Sequence, residues 1–293
     1  MLRPSWRARP AYIVERMRRE AVQQLASKDV TAYEVGLTKV EEMYEALDAA
    51  DLVRLLASRL KAKDPWIRER TAMTLAEVAT PSTATDALAL AADDPDPAVR
   101  DYACQALSRN ANVTAARRHL RRKLTDSDDQ VRCSALRGLS VSSHRVAMQI
   151  VKRCLSDGSP LVRLAALEAL GRGRENRSVW GRRIAAVITE HLAGERDEMV
   201  QCEAHRCLYV MGPDRRRLDE LVRLGASRLK GVRMRVYGTL GDLAACGDVD
   251  QIRRALAELE RKEASLTQRQ YIRSIATRLQ LTVGSKTEAC GRI

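Results

Sequence analysis

Phenylalanine is absent from this 293-residue chain, and aromatic residues together make up only 3% of it. A core must therefore be assembled from leucine, alanine, valine, isoleucine and methionine in many small contacts, which suits closely spaced helices. Alternating runs of β-branched residues are also missing, so no strand is expected. Nowhere do about 18 apolar residues follow one another, which excludes a spanning helix. The basic N-terminus, MLRPSWRARPAYIVERMRRE, lacks the apolar run of about 7 to 15 residues that a secretory signal needs. No Cys-x-x-Cys pair joins the seven cysteines, Cys104, Cys133, Cys154, Cys202, Cys207, Cys246 and Cys290. Their scatter and odd number point to a reducing, cytoplasmic setting and not to a disulfide framework.

Catalytic signatures are equally scarce. There is no glycine-rich phosphate loop, no G-x-S-x-G elbow and no H-E-x-x-H. QCEAHRCL holds the one Cys/His cluster, Cys202, His205 and Cys207. On a helix Cys202 and His205 share a face while Cys207 turns away, and no fourth ligand is evident. Buried cysteine in helix packing is the expectation, with no metal and no cofactor. His119, His144 and His191 stand alone, and no catalytic residue is assigned.

What the chain does contain is leucine, alanine and arginine, good helix formers, in a pattern that repeats. DPWIRERTAMTLA begins at Asp64, DPDPAVRDYACQAL at Asp94, DSDDQVRCSALRGL at Asp126, DGSPLVRLAALEALG at Asp157, DEMVQCEAHRCL at Asp197 and KGVRMRVYGTLG at Lys230. Their polar anchors, Arg68, Arg100, Arg132, Arg163, Gln201 and Arg233, are spaced by 32, 32, 31, 38 and 32 residues. Between anchors lies a second amphipathic stretch, such as VTAARRHLRRKL or DELVRLGASRLKG, so each unit is a pair of helices. The Asp, Pro, Gly and Ser clusters ahead of each anchor supply the turn and the N-cap of the second helix.

The recurring D-x(n)-V-R-x-x-A-x-x-A-L pattern resembles the HEAT-like repeat family, in particular its short-period bacterial branch of phycobilisome-lyase type. The resemblance covers roughly residues 60 to 245. It implies an all-α solenoid of stacked antiparallel helix pairs. The expected division is a basic tail at 1–10, capping helices at 11–60, signature repeats at 61–245, C-terminal capping helices at 246–283 and a flexible tail at 284–293. GRGRENRSVWG, from Gly171, interrupts the fifth unit and should form a surface loop. The resemblance also implies that the anchor arginines tie neighbouring repeats together, through carboxylates near the same turns such as Asp64, Asp96, Asp128 and Asp157.

Function is expected on the surfaces such stacking leaves over. If the second helices line a concave face, residues two and five places after each anchor form a row: Arg70, Tyr102, Gln105, Arg137, Glu168, Arg206 and Arg235, with Ser134, Ala165, Glu203 and Gly238 among them. This varied row on a regular frame is the expected partner-binding surface of a non-catalytic protein-interaction scaffold. Charge suggests an alternative. Residues 1–30 carry seven basic and three acidic groups (+4), residues 31–111 nine and fourteen (−5), and residues 112–293 thirty-five and twenty-one (+14). Two clusters concentrate the excess: Arg117, Arg118, Arg121, Arg122 and Lys123, opposite a stripe of Val113, Ala116, Leu120 and Leu124; and Arg215, Arg216 and Arg217, at a helix start where the dipole disfavours cations. They fit a partner with an acidic surface, or nucleic acid. Because some proteins of the resembled family are DNA glycosylases or phycobilin lyases, enzyme activity stays open. Capping ends favour a monomer.

Overall fold

The computed structural model describes residues 10–27, 29–43, 49–78, 81–109, 114–140, 144–171, 179–245 and 248–290. These residues fold into sixteen helices, with no strand among them. Proline marks several helix starts, at α4 (Pro65–Val78), α5 (Pro81–Ala91), α6 (Pro97–Arg109) and α10 (Pro160–Gly171). At a first helical position the missing N–H costs nothing and the fixed φ is already helical. Aspartates cap the adjoining turns: Asp96 Oδ1 accepts the Ala98 N–H at 2.8 Å, and Asp197 Oδ1 accepts those of Met199 and Val200 at 2.9 and 3.0 Å.

The chain forms two compact units, Met1–Ile150 and Val151–Ile293, and the division falls within α9 (His144–Cys154). In the first unit α1 (Ala11–Leu25) packs on α2 (Val30–Met43), which begins a layer continued by α4, α6 and α8 (Asp129–Ser140); α3 (Ala49–Arg59), α5 and α7 (Thr114–Lys123) form the other layer. In the second unit α10, α12 (Glu198–Met211), α14 (Lys230–Leu243) and α16 (Leu266–Cys290) stack successively, with α13 (Arg215–Leu224) packed on α15 (Val249–Lys262) and α11 (Val179–Leu192) against α12. Each unit is thus a solenoid stack of helix pairs, as the repeat implies. Small side chains permit the close approach: a Cβ added at Gly138 would collide with Ser108 and Leu120.

The anchor arginines form a ladder. Arg68 Nη1 donates to the carbonyls of Ala62 and Lys63 at 2.8 and 3.0 Å, while Nε and Nη2 fork onto Asp94 at 2.7 and 2.9 Å. Arg100 repeats the arrangement with the carbonyls of Asp94 and Pro95 and the Asp126 carboxylate, and Arg163 with those of Asp157 and Gly158 and the Glu195 carboxylate. Arg233 divides its fork between Glu263, at 3.0 Å, and the side-chain carbonyl of Gln268, at 3.1 Å. Gln201 keeps only the carbonyl half, donating to Glu195 O at 2.7 Å.

One expectation is corrected here. Three of the carboxylates nearest the anchors serve their own turns: Asp64 and Asp96 cap their own helices, and Asp128 accepts from Val131 N–H, whereas Asp157 holds the turn position that Asp94 and Asp126 hold in the earlier repeats. An extended guanidinium, held at its base by its own turn, reaches forward to the turn of the following repeat. The carboxylate partners described therefore come 26 residues on, at Asp94 and Asp126, 30 on, at Glu263, or 32 on, at Glu195. Although burial works against the charge of Glu195, the Arg163 fork and the N–H groups of Asp197 and Arg196 pull its pKa down to about 2.

Helix α16 runs from Leu266 to Cys290, a stretch without proline. Residues 1–9 and most of the fifth-unit insertion, 172–178, lie outside the described residues, as does Val113.

Candidate functional site

The expected partner-binding row splits between the units. In the first, Arg70 is half-buried with Nη1 3.2 Å from Met73 Sδ, Tyr102 packs against the core, Gln105 donates to Asp101 at 3.0 Å, and Arg137 is exposed. Ser134 and Ala165, both two places after an anchor, are buried, because that position leans toward the adjacent helix. Five places after the anchor the side chains reach solvent more freely.

In the second unit Glu168 of α10, Arg206 of α12 and Arg235 of α14 meet around one carboxylate. Glu203 is fully buried (0% exposed) and sits between both guanidiniums. Arg206 donates to its Oε1 through Nε at 2.8 Å and through Nη2. Arg235 Nη2 donates to Glu203 Oε2 at 2.9 Å and to Glu168 Oε1 at 3.3 Å. The network opens into a groove of about 520 Å³, where Asp242 and Tyr271 complete the wall. Hydrogen bonds that its guanidinium donates to the Glu203 carboxylate hold the Arg206 pKa well above its ordinary value. Asp242 and Tyr271 did not belong to the expected row. Asp242 comes nine places after an anchor and Tyr271 lies on α16, outside the signature repeats, so no periodic signal marks either.

The charge clusters have distinct surroundings. On α7, Ala116 and Leu120 are buried, whereas Arg118, Arg121 and Arg122 are exposed and Arg117 is partly so. With Thr114 these four arginines line a depression of about 610 Å³. Lys123 departs from the expected exposed ridge. Only 13% exposed, it pairs with Asp93 at 2.7 Å and Asp126 at 3.5 Å, because its position turns toward the preceding repeat. Arg215 and Arg216 are exposed at the start of α13, with Asp214 capping the Arg216 N–H at 3.0 Å, and Arg217 is partly covered. Arg217 faces His205, whose pKa falls to about 4, mainly through burial and further through Arg217 and Arg223.

Cys202, His205 and Cys207 do not converge. Cys202 Sγ lies 3.9 Å from Thr239 Oγ1 on α14, and Cys207 Sγ lies 3.4 Å from Leu167 O on α10, the opposite neighbour. Burial pushes the Cys202 thiol up to about 11 and the Cys207 thiol higher still, so both are inert neutral thiols.

A family model for HEAT repeats matches residues 15–108, 52–139 and 117–179. Among solved structures, the E. coli protein YibA is 16% identical, with a TM-score of 0.56 over 96% of this chain and 98% of that one. Kap121p bound to RanGTP is also 16% identical, with a TM-score of 0.52 over 91% of this chain and 33% of that one. The complex of CpcE and CpcF of phycocyanin lyase from Nostoc sp. PCC7120 is 21% identical, with a TM-score of 0.47 over 78% of this chain and 94% of that one. No curated protein matches the sequence.

Proposed function

The chain belongs to the HEAT-repeat family, and from that premise we propose that it is a non-catalytic interaction scaffold that grips a protein partner in the groove of its second unit. The observation carrying this reading is the convergence of Glu168, Glu203, Arg206 and Arg235 from three stacked helices around one open groove. Successive repeats of a solenoid present such surfaces for partner recognition. A fixed polar network suits specificity, because a partner that leaves its groups unpaired is penalised. Kap121p, whose solved structure holds RanGTP, is a precedent for partner binding on such a frame.

Groove chemistry bears on the partner. Three carboxylates, Glu168, Glu203 and Asp242, face two guanidiniums, and both guanidiniums are already engaged by Glu203. The groove is thus net negative and its open acceptors are Asp242 and the outer oxygen of Glu168. It suits a basic side chain, with Tyr271 as an aromatic wall for a cation. The acidic partner surface expected from net charge does not match this groove.

Selection of a displayed random peptide library on the chain, repeated on Asp242→Lys and Glu168→Lys variants, tests the reading. Enriched peptides should carry lysine or arginine and lose at least about tenfold in affinity on either variant, about 1.4 kcal/mol. Peptides that bind all three proteins equally, or an acidic consensus, would count against it.

A further inference from the structure

We propose that the arginine ridge of α7 is a docking surface for duplex nucleic acid, gripped through its phosphate backbone and independent of the groove in the second unit. The ridge follows from the register of the helix. With Ala116 and Leu120 turned into the core, Arg117, Arg118, Arg121 and Arg122 fall at i, i+1, i+4 and i+5 on the other side. They form two rungs separated by about 6 Å along the axis, four residues at 1.5 Å each. Together with Thr114 they line the 610 Å³ depression, and no other described residue contributes to its wall.

The charge of this depression is largely unopposed. Asp93 pairs with Arg122 at 3.6 Å but is held more closely by Lys123, at 2.7 Å. Arg117 has only Thr114 Oγ1, at 3.5 Å. Among the described residues neither Arg118 nor Arg121 has a carboxylate within ion-pair distance. In sequence, the segment before α7, 110–113 (NANV), contains no acidic residue, and the aspartates after it begin at Asp126, which is engaged by Arg100 and Lys123. His119, beside the ridge, is pushed below its ordinary pKa first by burial, with Arg118 and Arg122 adding to the shift and Asp93 and Asp86 opposing it.

Helix stability does not account for the arrangement. Like charges at i,i+4, here Arg117 with Arg121 and Arg118 with Arg122, cost a helix about 0.2–0.5 kcal/mol per pair. The C-terminal dipole favours Arg121 and Arg122, but Arg117 and Arg118 lie a turn earlier.

The identity of the occupant follows from what the depression lacks. A protein interface of useful affinity needs an apolar or aromatic centre, and none of the five lining residues supplies one. Single-stranded nucleic acid is held by stacking on aromatic side chains, and insertion into a membrane surface needs apolar side chains on the exposed face. Neither occurs here. A duplex carries one negative charge per about 1.7 Å of axis and binds basic surfaces by releasing counterions, with no apolar contact needed. Guanidinium forks match its phosphate oxygens, and contacts of this kind position a protein without reading sequence.

The test uses the full chain, a fluorescent duplex DNA of random sequence, and anisotropy titrations from about 50 to 200 mM NaCl. The wild-type chain should bind, and replacing all four arginines (Arg117→Gln, Arg118→Gln, Arg121→Gln, Arg122→Gln) should lower the slope of log affinity against log salt by about 3 to 4, near 0.9 per phosphate contact. Asp242→Lys, which disables the groove, should leave the loss caused by the quadruple change intact, so the two readings fail separately. Glutamine keeps helix propensity, and a circular dichroism melt checks the fold. Should the quadruple variant not fold, the four single variants carry the test, each lowering the slope by about 0.9. The proposal is overturned if the wild-type chain does not bind at about 50 mM salt, or if the substitutions leave the slope unchanged. Equal binding of a polyglutamate peptide, or of phosphatidylserine vesicles, that is lost in the same variants would also overturn it, reassigning the ridge to an acidic protein or a lipid surface.

Discussion

The α7 ridge and the groove of the second unit use the same side chain to opposite ends. On the ridge, arginines stand in solvent, Arg122 at 62% exposure, and the nearest carboxylate is shared with a lysine. In the groove, Arg206 and Arg235 converge on a carboxylate with no exposure at all. An unopposed guanidinium keeps its charge available for a partner, whereas one committed to a buried anion becomes part of the frame. Net charge therefore predicts poorly which surface is positive: the basic half of the chain contains the net-negative groove.

The sharpest way to break this comparison is to remove one arginine from each region. Arg206→Ala leaves buried Glu203 with half its compensation and should cost about 3 kcal/mol in a urea unfolding titration. Arg121→Ala or Arg118→Ala on the ridge should stay within about 0.5 kcal/mol. Equal losses would mean that the ridge, too, is structural. A second test concerns the other exposed cluster, where Arg217 faces buried His205. Because the folded pKa of His205, about 4, lies below its ordinary 6.5, the neutral form stabilises the fold above about pH 6.5. That contribution is lost as pH falls from there through about 4, an effect on the order of 2 kcal/mol. Unfolding titrations from pH 4 to 8 should show the decline, and His205→Gln should flatten it. The smallest effect is expected from the four-glutamine ridge variant, whose thermal midpoint should be unchanged or raised by a degree or two as i,i+4 repulsion is relieved.

The ladder shows how far a one-dimensional pattern can be read. Anchors at intervals near 32 residues are visible in the chain, and the arginines at those positions do join the repeats. Their acceptors were less legible. Asp94 and Asp96 look interchangeable in DPDPAVR, yet one takes the fork of the previous anchor while the other caps its own helix. The choice depends on how far a guanidinium extends across the gap between turns. Lys123 is similar: adjacent to Arg122 in sequence, it turns toward Asp93 and Asp126 and leaves the ridge. Of the positions that follow the anchors, those in the first unit stay dispersed while those in the second close around Glu203. Asp242 and Tyr271 had no marker, since each joins the groove only through stacking of α14 and α16.

The sequence alone determined that helices come in pairs, where each pair turns, and which arginines bind the stack, because these properties arise from local propensity and a pattern repeated at nearly constant spacing. Only the tertiary structure decided which carboxylates neutralise which arginines, and hence where charge is left over. Ion pairing is set by distances of a few ångströms between side chains some 30 to 70 residues apart, as from Arg235 to Glu203 and Glu168, and periodicity in the chain does not encode those distances.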